Sequence, residues 1–558
     1  MEGFLLQKEI EFGEFQFQPG TPLLMRHSRA VDVAPKALAL LAALLRSAGQ
    51  VVGKEELLDM VWPNEAVEES NLAVHISALR KVLGKNGEGA EYIETIPKRG
   101  YRFAAAVTGP PSVAVLPFQT LGPDGSDEHL GEGLADEIIN ALCRIPNLTV
   151  IARTSAFTFK GRQDDVQSVA NALQVSHIVR GSVQASGDRL RITVQLIAAA
   201  DGRQVWSQSF DQQNAELFRI QDEMTGAIAN SLRLRLLGTS RKTGSVEAYN
   251  NYLKAMYHYQ RLTPDAKSKG KQYFEQALRC DPAFAQAYAG LALCYYNIPP
   301  ATLGLAPAQA RQQARSLLEQ ALAIDPSLPE AHCMMGMAAT FVDYDWNAAE
   351  REFQIAMAIE PISAAIRYTY AHWLLLPLRR FDAAMEQWRK GLETDPLSGL
   401  LHYGLAYTLY LAGDADAALD HASTAIEISS DFWLIRCVVG MAQLQKGLMA
   451  KAIATLERAL SVGEGYAPAV GTLAACYLVT GRRSESEELM RRGPATPRSR
   501  AYYHALLREP DKMFQWFEPA ISEREYLVPL DVNCHVFEPY RSDPRFRALL
   551  RRMNLDRV

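Results

Sequence analysis

Residues 68–84 read EESNLAVHISALRKVLG, and residues 92–103 read YIETIPKRGYRF. In the first stretch Leu72, Ile76, Leu79 and Leu83 recur at spacings of four, three and four, the period of a helix with one buried stripe. The opposite side carries Asn71, Val74, His75, Ser77, Ala78 and Lys81, with Arg80 near its edge. In the second stretch two strand-like pieces, Tyr92–Ile96 and Tyr101–Phe103, flank Pro97-Lys98-Arg99-Gly100, so a tight turn presents two adjacent cations.

Upstream, strand-like segments at Phe12–Gln18, Leu23–Arg26 and Ala30–Val33 precede Pro35. Proline suits the first turn of a helix, which here runs through LALLAALLRSAG and stops near Gly49. A second helix, Lys54–Val61, places Leu57, Leu58 and Val61 on one side. It ends at Trp62-Pro63 because proline cannot continue it, and Trp62 is expected in the core. Residues 1–107 therefore read as one α/β unit of three helices, small strands and a hairpin.

The pieces KEELLDMVWP, SNLAVHISALRKVLG and YIETIPKRGYRF resemble the OmpR/PhoB-type winged helix-turn-helix family over about residues 10–105. The proline-bearing hairpin is most similar to the ToxR/CadC-like branch. The resemblance implies binding of double-stranded DNA, with the third helix in the major groove and the wing at the neighbouring minor groove and backbone. By that likeness Asn71, Val74 and Ala78 lie where bases are read. His75, Ser77, Arg80 and Lys81 lie near phosphates, and Lys98, Arg99 and Arg102 lie on the wing. A plainer reading makes His75 an exposed or capped histidine and Arg80 and Lys81 a solvated helix face. Relatives often carry arginine where this chain has Ser70, Ser77 and Ala78, so the arginine-to-guanine contact is missing. Residues 1–105 hold 12 Lys and Arg against 14 Asp and Glu, an acidic balance for a DNA reader. Modest affinity fits a homodimer or cooperative binder on paired half-sites. Only about eleven residues precede the first strand, so control through a linked receiver domain is not expected.

Two short linkers, Thr108–Ser112 and Arg241–Ser245, set off residues 113–240. There, Val113–Phe118 reads as a buried strand, Glu132–Arg144 as a helix and Thr149–Ala152 as a second strand. His177–Ala185 and Leu190–Ala198 form a half-buried hairpin, since Leu190, Ile192, Val194 and Leu196 alternate with polar residues. Gln204–Phe210 and a helix from about Glu216 to Leu237 complete the segment. SVAVLPF, LGEGLADEIINAL and the hairpin resemble TolB/FlgO-like amino-terminal domains, which implies a non-catalytic mixed α/β module. Gly131-Glu132-Gly133 lacks the third glycine and the Lys-Ser/Thr of a phosphate cradle and reads as a plain turn before a helix. Asp136 and Glu137, adjacent and so pointing apart, are expected in solvent.

From residue 246 the endings ALRCDP, ALAIDP, AMAIEP, GLETDP, AIEISS and ALSVGE begin at 277, 321, 356, 391, 425 and 459. Their spacings of 44, 35, 35, 34 and 34 are those of tetratricopeptide repeats, with an insertion around Asn297–Pro307. Residues 246–493 are thus an all-α solenoid whose concave face suits a protein partner, and 494–558 are closing helices expected to cap it. The aromatic residues at helical spacing, among them Tyr288, Trp373 and Tyr407, read as repeat core.

The 558 residues exceed one core, and with 48% hydrophobic and 22% charged residues they belong to a multidomain globular protein. A net charge of -5 neither supports nor excludes DNA. Seven scattered cysteines without CxxC spacing read as reduced thiols, with no metal site. No signal peptide or membrane span is expected, which places the chain in the cytoplasm. No catalytic set, cofactor motif or cyclase-like region stands out, so an enzyme is not expected. The plan resembles that of HilA-like regulators, controlled through the middle and repeat regions. The alternative is an interaction scaffold with a degenerate winged helix.

Overall fold

A computed structural model describes residues 10–556 apart from 19–22, 28, 47–50, 63–66, 68, 86–88, 98, 106–110, 122–127, 146–147, 163–164, 187–188, 214–216, 233–242, 260–263, 301, 429–431, 464–465, 493–495 and 526. Its contacts divide into two units, residues 1–112 with 147–149 and the remainder. Of the expected linkers, 108–110 and 241–242 lie outside the described residues.

In the first unit β1 (Ile10–Phe12), β2 (Phe15–Gln18), β3 (Leu23–Arg26) and β4 (Arg29–Val31) form an antiparallel meander in that order. The expected single strand Phe12–Gln18 is two. Side chains alternate along a strand, so Phe12 and Phe15 cannot share a face of one strand, yet both are buried. A turn at Gly13, whose φ of +57° suits glycine, reverses the chain between them and brings the two rings to 5.5 Å. Helices α1 (Pro35–Arg46), α2 (Lys54–Val61) and α3 (Glu69–Leu83) follow; the expected end of α1 near Gly49 lies outside the described residues. The strand β5 (Val51–Gly53), which hydrophobic patterning does not announce, pairs with β7 (Gly100–Phe103), itself paired with β6 (Ile93–Ile96). A Cβ at Gly100 would lie 1.9 Å from the Val52 carbonyl oxygen, so only glycine lets these strands close up there.

The middle segment contains β8 (Ser112–Val115), β9 (Gln119–Thr120), α4 (Glu128–Leu142), β10 (Thr149–Val150), α5 (Arg153–Ala156), α6 (Val166–Leu173), β11 (His177–Ser186), β12 (Arg189–Ala198), β13 (Gln204–Gln213) and α7 (Leu217–Ser231). Its sheet runs β10-β8-β11-β12-β13, with β9 parallel to β11. Leu190, Ile192, Val194 and Leu196 face the core, while Arg189 and Arg191 on the other face bind Asp211. Gly131-Glu132-Gly133 is not a turn: α4 begins a turn earlier and carries all three. The glycines are needed because Cβ atoms would meet the Phe118 carbonyl oxygen at 2.6 Å and the Leu253 side chain at 2.8 Å. Glu132 is buried and takes hydrogen bonds from Arg153 at 2.6 Å and Lys160 at 2.7 Å. Asp136 and Glu137, expected in solvent, are both partly buried, Asp136 beside the same Arg153 at 3.9 Å.

The repeats are helix pairs: α8 (Val246–Tyr259) with α9 (Pro264–Cys280), α10 (Ala285–Asn297) with α11 (Pro307–Ile324), α12 (Pro329–Ala338) with α13 (Trp346–Ala358), α14 (Ala364–Tyr370) with α15 (Phe381–Leu392), α16 (Gly399–Leu411) with α17 (Ala415–Ile428), α18 (Trp433–Gln445) with α19 (Met449–Val462) and α20 (Ala467–Val479) with α21 (Arg483–Arg492). Each of the six endings closes a second helix, and its first residue is buried, as is the residue three before it. That earlier residue is large in five of the six, and in four of these the bulk is received by a glycine on a neighbouring first helix: Gly290 meets Phe274, Gly336 Phe353, Gly404 Trp388 and Gly440 Leu456. The insertion is the loop between α10 and α11.

The closing region, α22 (Pro497–Leu506), α23 (Pro510–Ser522), α24 (Val528–Asp531) and α25 (Pro544–Arg552), does more than cap the array. It doubles back along earlier pairs: Asn533 donates to the Leu376 and Pro377 carbonyls, Trp346 donates to the Met553 carbonyl at 2.7 Å, and Tyr410 meets Cys534 at 3.2 Å. Burying Asn533 and Trp346 requires such partners, and only residues some 150–210 positions away supply them. The middle segment also docks on the repeats, where Tyr257 donates to Glu128 at 2.9 Å and Leu397 joins the core under β8 and α6.

Candidate nucleic-acid interface

Helix α3 owes its position to its apolar stripe. Leu72, Ile76, Leu79 and Leu83 are buried against α1 and the hairpin, one fully apolar side of a 15-residue helix. Glu69 opens the helix, where a carboxylate complements the positive helix end, and pairs with Lys54 of α2 at 2.7 Å. This contact raises the Lys54 pKa and joins the two helices of the turn.

The outward side exposes Asn71, Val74, Ser77, Ala78 and Lys81. Val74 is 64% exposed, so its methyl groups are open to a partner on this face. His75 is half-buried with its ring 5.4 Å from Trp62, which lies in the core. It sits at the rim of the exposed face.

Arg80 is committed within the unit. Its guanidinium donates to the Ile93 carbonyl at 2.9 Å and the Thr95 hydroxyl at 2.8 Å, and pairs with Glu91 at 2.9 Å. It thus clamps the end of α3 to β6. Sequence periodicity placed it at the edge of the helix but carried no sign of these partners, which alternate along another strand. Arg102 pairs with Glu94 across the hairpin. Arg99 is exposed at the turn, and its backbone N–H closes the turn on the Ile96 carbonyl at 3.0 Å. Lys98 lies outside the described residues. Of the ten residues read as DNA contacts, the structure brings Asn71, Val74, Ser77, Ala78 and Lys81 onto one exposed face, sets His75 at its rim, and spends Arg80 and Arg102 on internal ion pairs.

Residues 28–103 match the family model for the C-terminal domain of transcriptional regulatory proteins, residues 110–227 the second domain of HilA/YgeH-like transcriptional regulators, and residues 443–509 the tetratricopeptide repeat. Residues 28–103 are therefore a winged-helix domain of the kind that transcriptional regulatory proteins carry at their C-terminus. More particularly, the chain joins an OmpR/PhoB-type winged helix to a HilA-like second domain and tetratricopeptide repeats. It is 26% identical over 393 residues to the transcriptional regulator HilA of Salmonella typhimurium, 67% of this chain and 68% of HilA. It is 29% identical over 238 residues to a putative adenylate cyclase 3 of Rhizobium meliloti, 42% of this chain but only 40% of the cyclase. The solved DNA-binding domain of Escherichia coli CadC is 32% identical over 19% of this chain and 98% of that domain, with a TM-score of 0.17. The middle segment, expected from its motifs to be TolB/FlgO-like, matches instead the HilA/YgeH-like second domain. Among the described residues no helix is long and apolar enough to cross a membrane, and no three His, Cys, Asp or Glu side chains are grouped as metal ligands.

Proposed function

We propose that the chain is a one-component, sequence-specific DNA-binding transcriptional regulator. The observation that carries this reading is the exposed face of α3, Asn71, Val74, Ser77, Ala78 and Lys81, inside the segment that matches regulator DNA-binding domains. In this reading α3 enters the major groove, with Asn71, Val74 and Ala78 at base edges and His75, Ser77 and Lys81 toward phosphates. The wing contributes Lys98 and Arg99, with Arg80 and Arg102 shaping it as well as adding charge. Residues 1–107 bind DNA, 113–240 and 246–493 carry control, and 494–558 close the array. A protein partner engages the concave face of the repeats, two copies occupy paired half-sites, and the protein acts in the cytoplasm without enzymatic activity.

The pairing of Arg80 and Arg102 favours one second reading, an interaction scaffold whose winged helix no longer grips DNA. A DNA-binding titration across a salt series separates the two. A regulator shows log affinity falling linearly with log salt and a preferred site among genomic fragments, whereas a scaffold shows neither.

A further inference from the structure

The sheet of the middle segment ends differently at its two sides. At one side β10 is two residues long, while at the other β13 runs for ten, and no strand among the described residues pairs with its outer edge. The ladder fixes which of its backbone groups face outward. The Val179 and Val183 carbonyls of β11 accept from Leu116 and Leu121, on the side of β8 and β9, so the residues of β11 that turn toward β12 are the alternate ones, Ile178, Arg180, Ser182 and Gln184. Their partners Ile197, Gln195, Thr193 and Arg191 turn back toward β11. The other residues of β12 therefore bind β13: Ile192 pairs with Phe210, Val194 with Gln208 and Leu196 with Trp206. The Ala198 N–H continues this alternation by donating to the Arg203 carbonyl at 2.9 Å. The N–H and C=O of Ser207, Ser209 and Asp211 consequently point away from the sheet, and all three residues are exposed.

An open edge of this length is a template for another strand unless a lysine, a proline, a bulge or brevity blunts it. In β13 a bulge at Val205 interrupts only the start, where Gln204 pairs with Ile197 and Trp206 already with Leu196. From Trp206 to Asp211 the strand is regular and holds neither lysine nor proline. Its core-facing row is also incompletely covered, since Phe210 is buried but Trp206 is half-buried and Gln208 exposed. Asp211, the one charge in this stretch, is held by Arg189 and Arg191 at 2.8 Å each. Residues 206–210 read WSQSF, which has the same order of residue types in both directions: aromatic, serine, glutamine, serine, aromatic. Antiparallel pairing of this stretch with itself about Gln208 sets Trp206 against Phe210, Ser207 against Ser209 and Gln208 against Gln208, and no like charges meet.

We propose that β13 is a dimerisation edge, to which β13 of a second copy of this chain adds antiparallel about a two-fold axis through Gln208. Ser207 and Ser209 exchange backbone hydrogen bonds with Ser209 and Ser207 of the second copy, because both turn their N–H and C=O outward. Trp206 and Phe210 then meet in the intervening pairs, where opposed side chains approach most closely. A two-fold interface must be complementary to itself, which the order WSQSF satisfies and which favours a second copy over a foreign strand. The use of this dimer rests on the regulator reading, in which two copies occupy paired half-sites; the pairing of the strands does not.

The test is sedimentation velocity of the full chain over a dilution series, with a dimer that dissociates on dilution as the expected result. Ser209→Pro removes an outward N–H without touching the ladder to β12, and is expected to leave the folded chain intact while raising the Kd of the dimer at least about tenfold. Ser207→Lys with Ser209→Lys keeps the backbone whole and sets lysine against lysine; the same weakening is expected, which preserves the test if the proline variant fails to fold. Gln208→Cys is expected to give a covalent dimer under copper phenanthroline, because the axis places this residue opposite itself within reach of a disulfide. A chain that stays monomeric, a dimer unchanged in a folded edge variant, or no more cross-linking by Gln208→Cys than by the unaltered chain overturns the proposal. A dimer that depends on β13 but shows no salt-dependent DNA binding upholds the pairing and removes the regulator reading, whereas a monomer with a steep salt slope does the reverse.

Discussion

Ser155 and Asp395 are joined by two hydrogen bonds across 240 residues of chain: the Ser155 backbone N–H donates to Oδ1 of Asp395 at 3.0 Å and the Ser155 hydroxyl to the same oxygen at 2.6 Å. The hydroxyl in turn accepts from the Leu397 N–H at 2.8 Å, and the Ala152 N–H donates to the Thr394 carbonyl at 2.6 Å. Asp395 belongs to the Asp-Pro signature that ends a repeat, so a residue that marks the solenoid is also the acceptor that docks the middle segment onto it. Burial pushes its carboxyl pKa up while the Ser155 donors pull it down.

Replacing Ser155 with alanine leaves the partly buried Leu397 N–H without its acceptor and removes one donor from the buried Asp395. A loss of about 1–3 kcal/mol is expected. Chemical denaturation of the full chain reads this as a lower midpoint, and hydrogen exchange is expected to quicken at 152–156 and 394–397 together. Quickening at one segment alone would mean the two are not coupled.

Acid is expected to loosen the same dock. Nε2 of His402 donates to the Pro396 carbonyl at 2.9 Å, and its Nδ1 lies 3.4 Å from Nε2 of His421. Burial holds His402 below its usual pKa and brings His421, with His402 beside it, and His372 each down to about 4. The unfolded chain takes up these protons near pH 6.5 and the folded chain only near 4, so the stabilisation is complete above about 6.5 and is lost as pH falls toward 4. Melting curves between pH 7.5 and pH 4.5 are expected to show a falling midpoint, less steep in His421→Gln.

Val74 separates DNA recognition from stability. Its side chain is 64% exposed, so Val74→Asp is expected to change folding free energy by no more than about 0.5 kcal/mol. A carboxylate placed in the groove is nevertheless expected to abolish specific binding in a footprinting assay. Retained binding would move the reading face away from Val74.

The cations divide the wing into contact and support. Lys98→Ala with Arg99→Ala is expected to weaken binding to all DNA sequences alike and to flatten the salt slope by about two. Arg80→Ala is expected to lower the stability of the isolated helix–wing junction as well, read as faster exchange along β6, because the Ile93 carbonyl and Thr95 hydroxyl lose their donor.

Close packing in the repeats makes Gly404→Ala costly. A Cβ there would lie 2.8 Å from the indole of the fully buried Trp388, and overpacking of this kind costs about 1–3 kcal/mol. Thermal unfolding is expected to show the loss, and Trp388→Leu in the same chain to recover part of it.

The amino-acid order alone determined what repeats or alternates. The stripe Leu72, Ile76, Leu79, Leu83, the strands of the β11–β12 hairpin and the 34-residue period each express a local geometry that recurs every few residues, and all lie where the pattern puts them. What lay outside any period was decided only by the tertiary structure. Gly131-Glu132-Gly133 became helix because Phe118 and Leu253 pack against its glycines, and Arg80 turned inward because Ile93, Thr95 and Glu91 met it. The closing helices returned across the repeats because Trp346, Tyr410 and Asn533 needed buried partners. A buried polar group must be satisfied, but nothing in its immediate sequence says which distant residue will satisfy it; that choice, as between Ser155 and Asp395, is made when the chain folds.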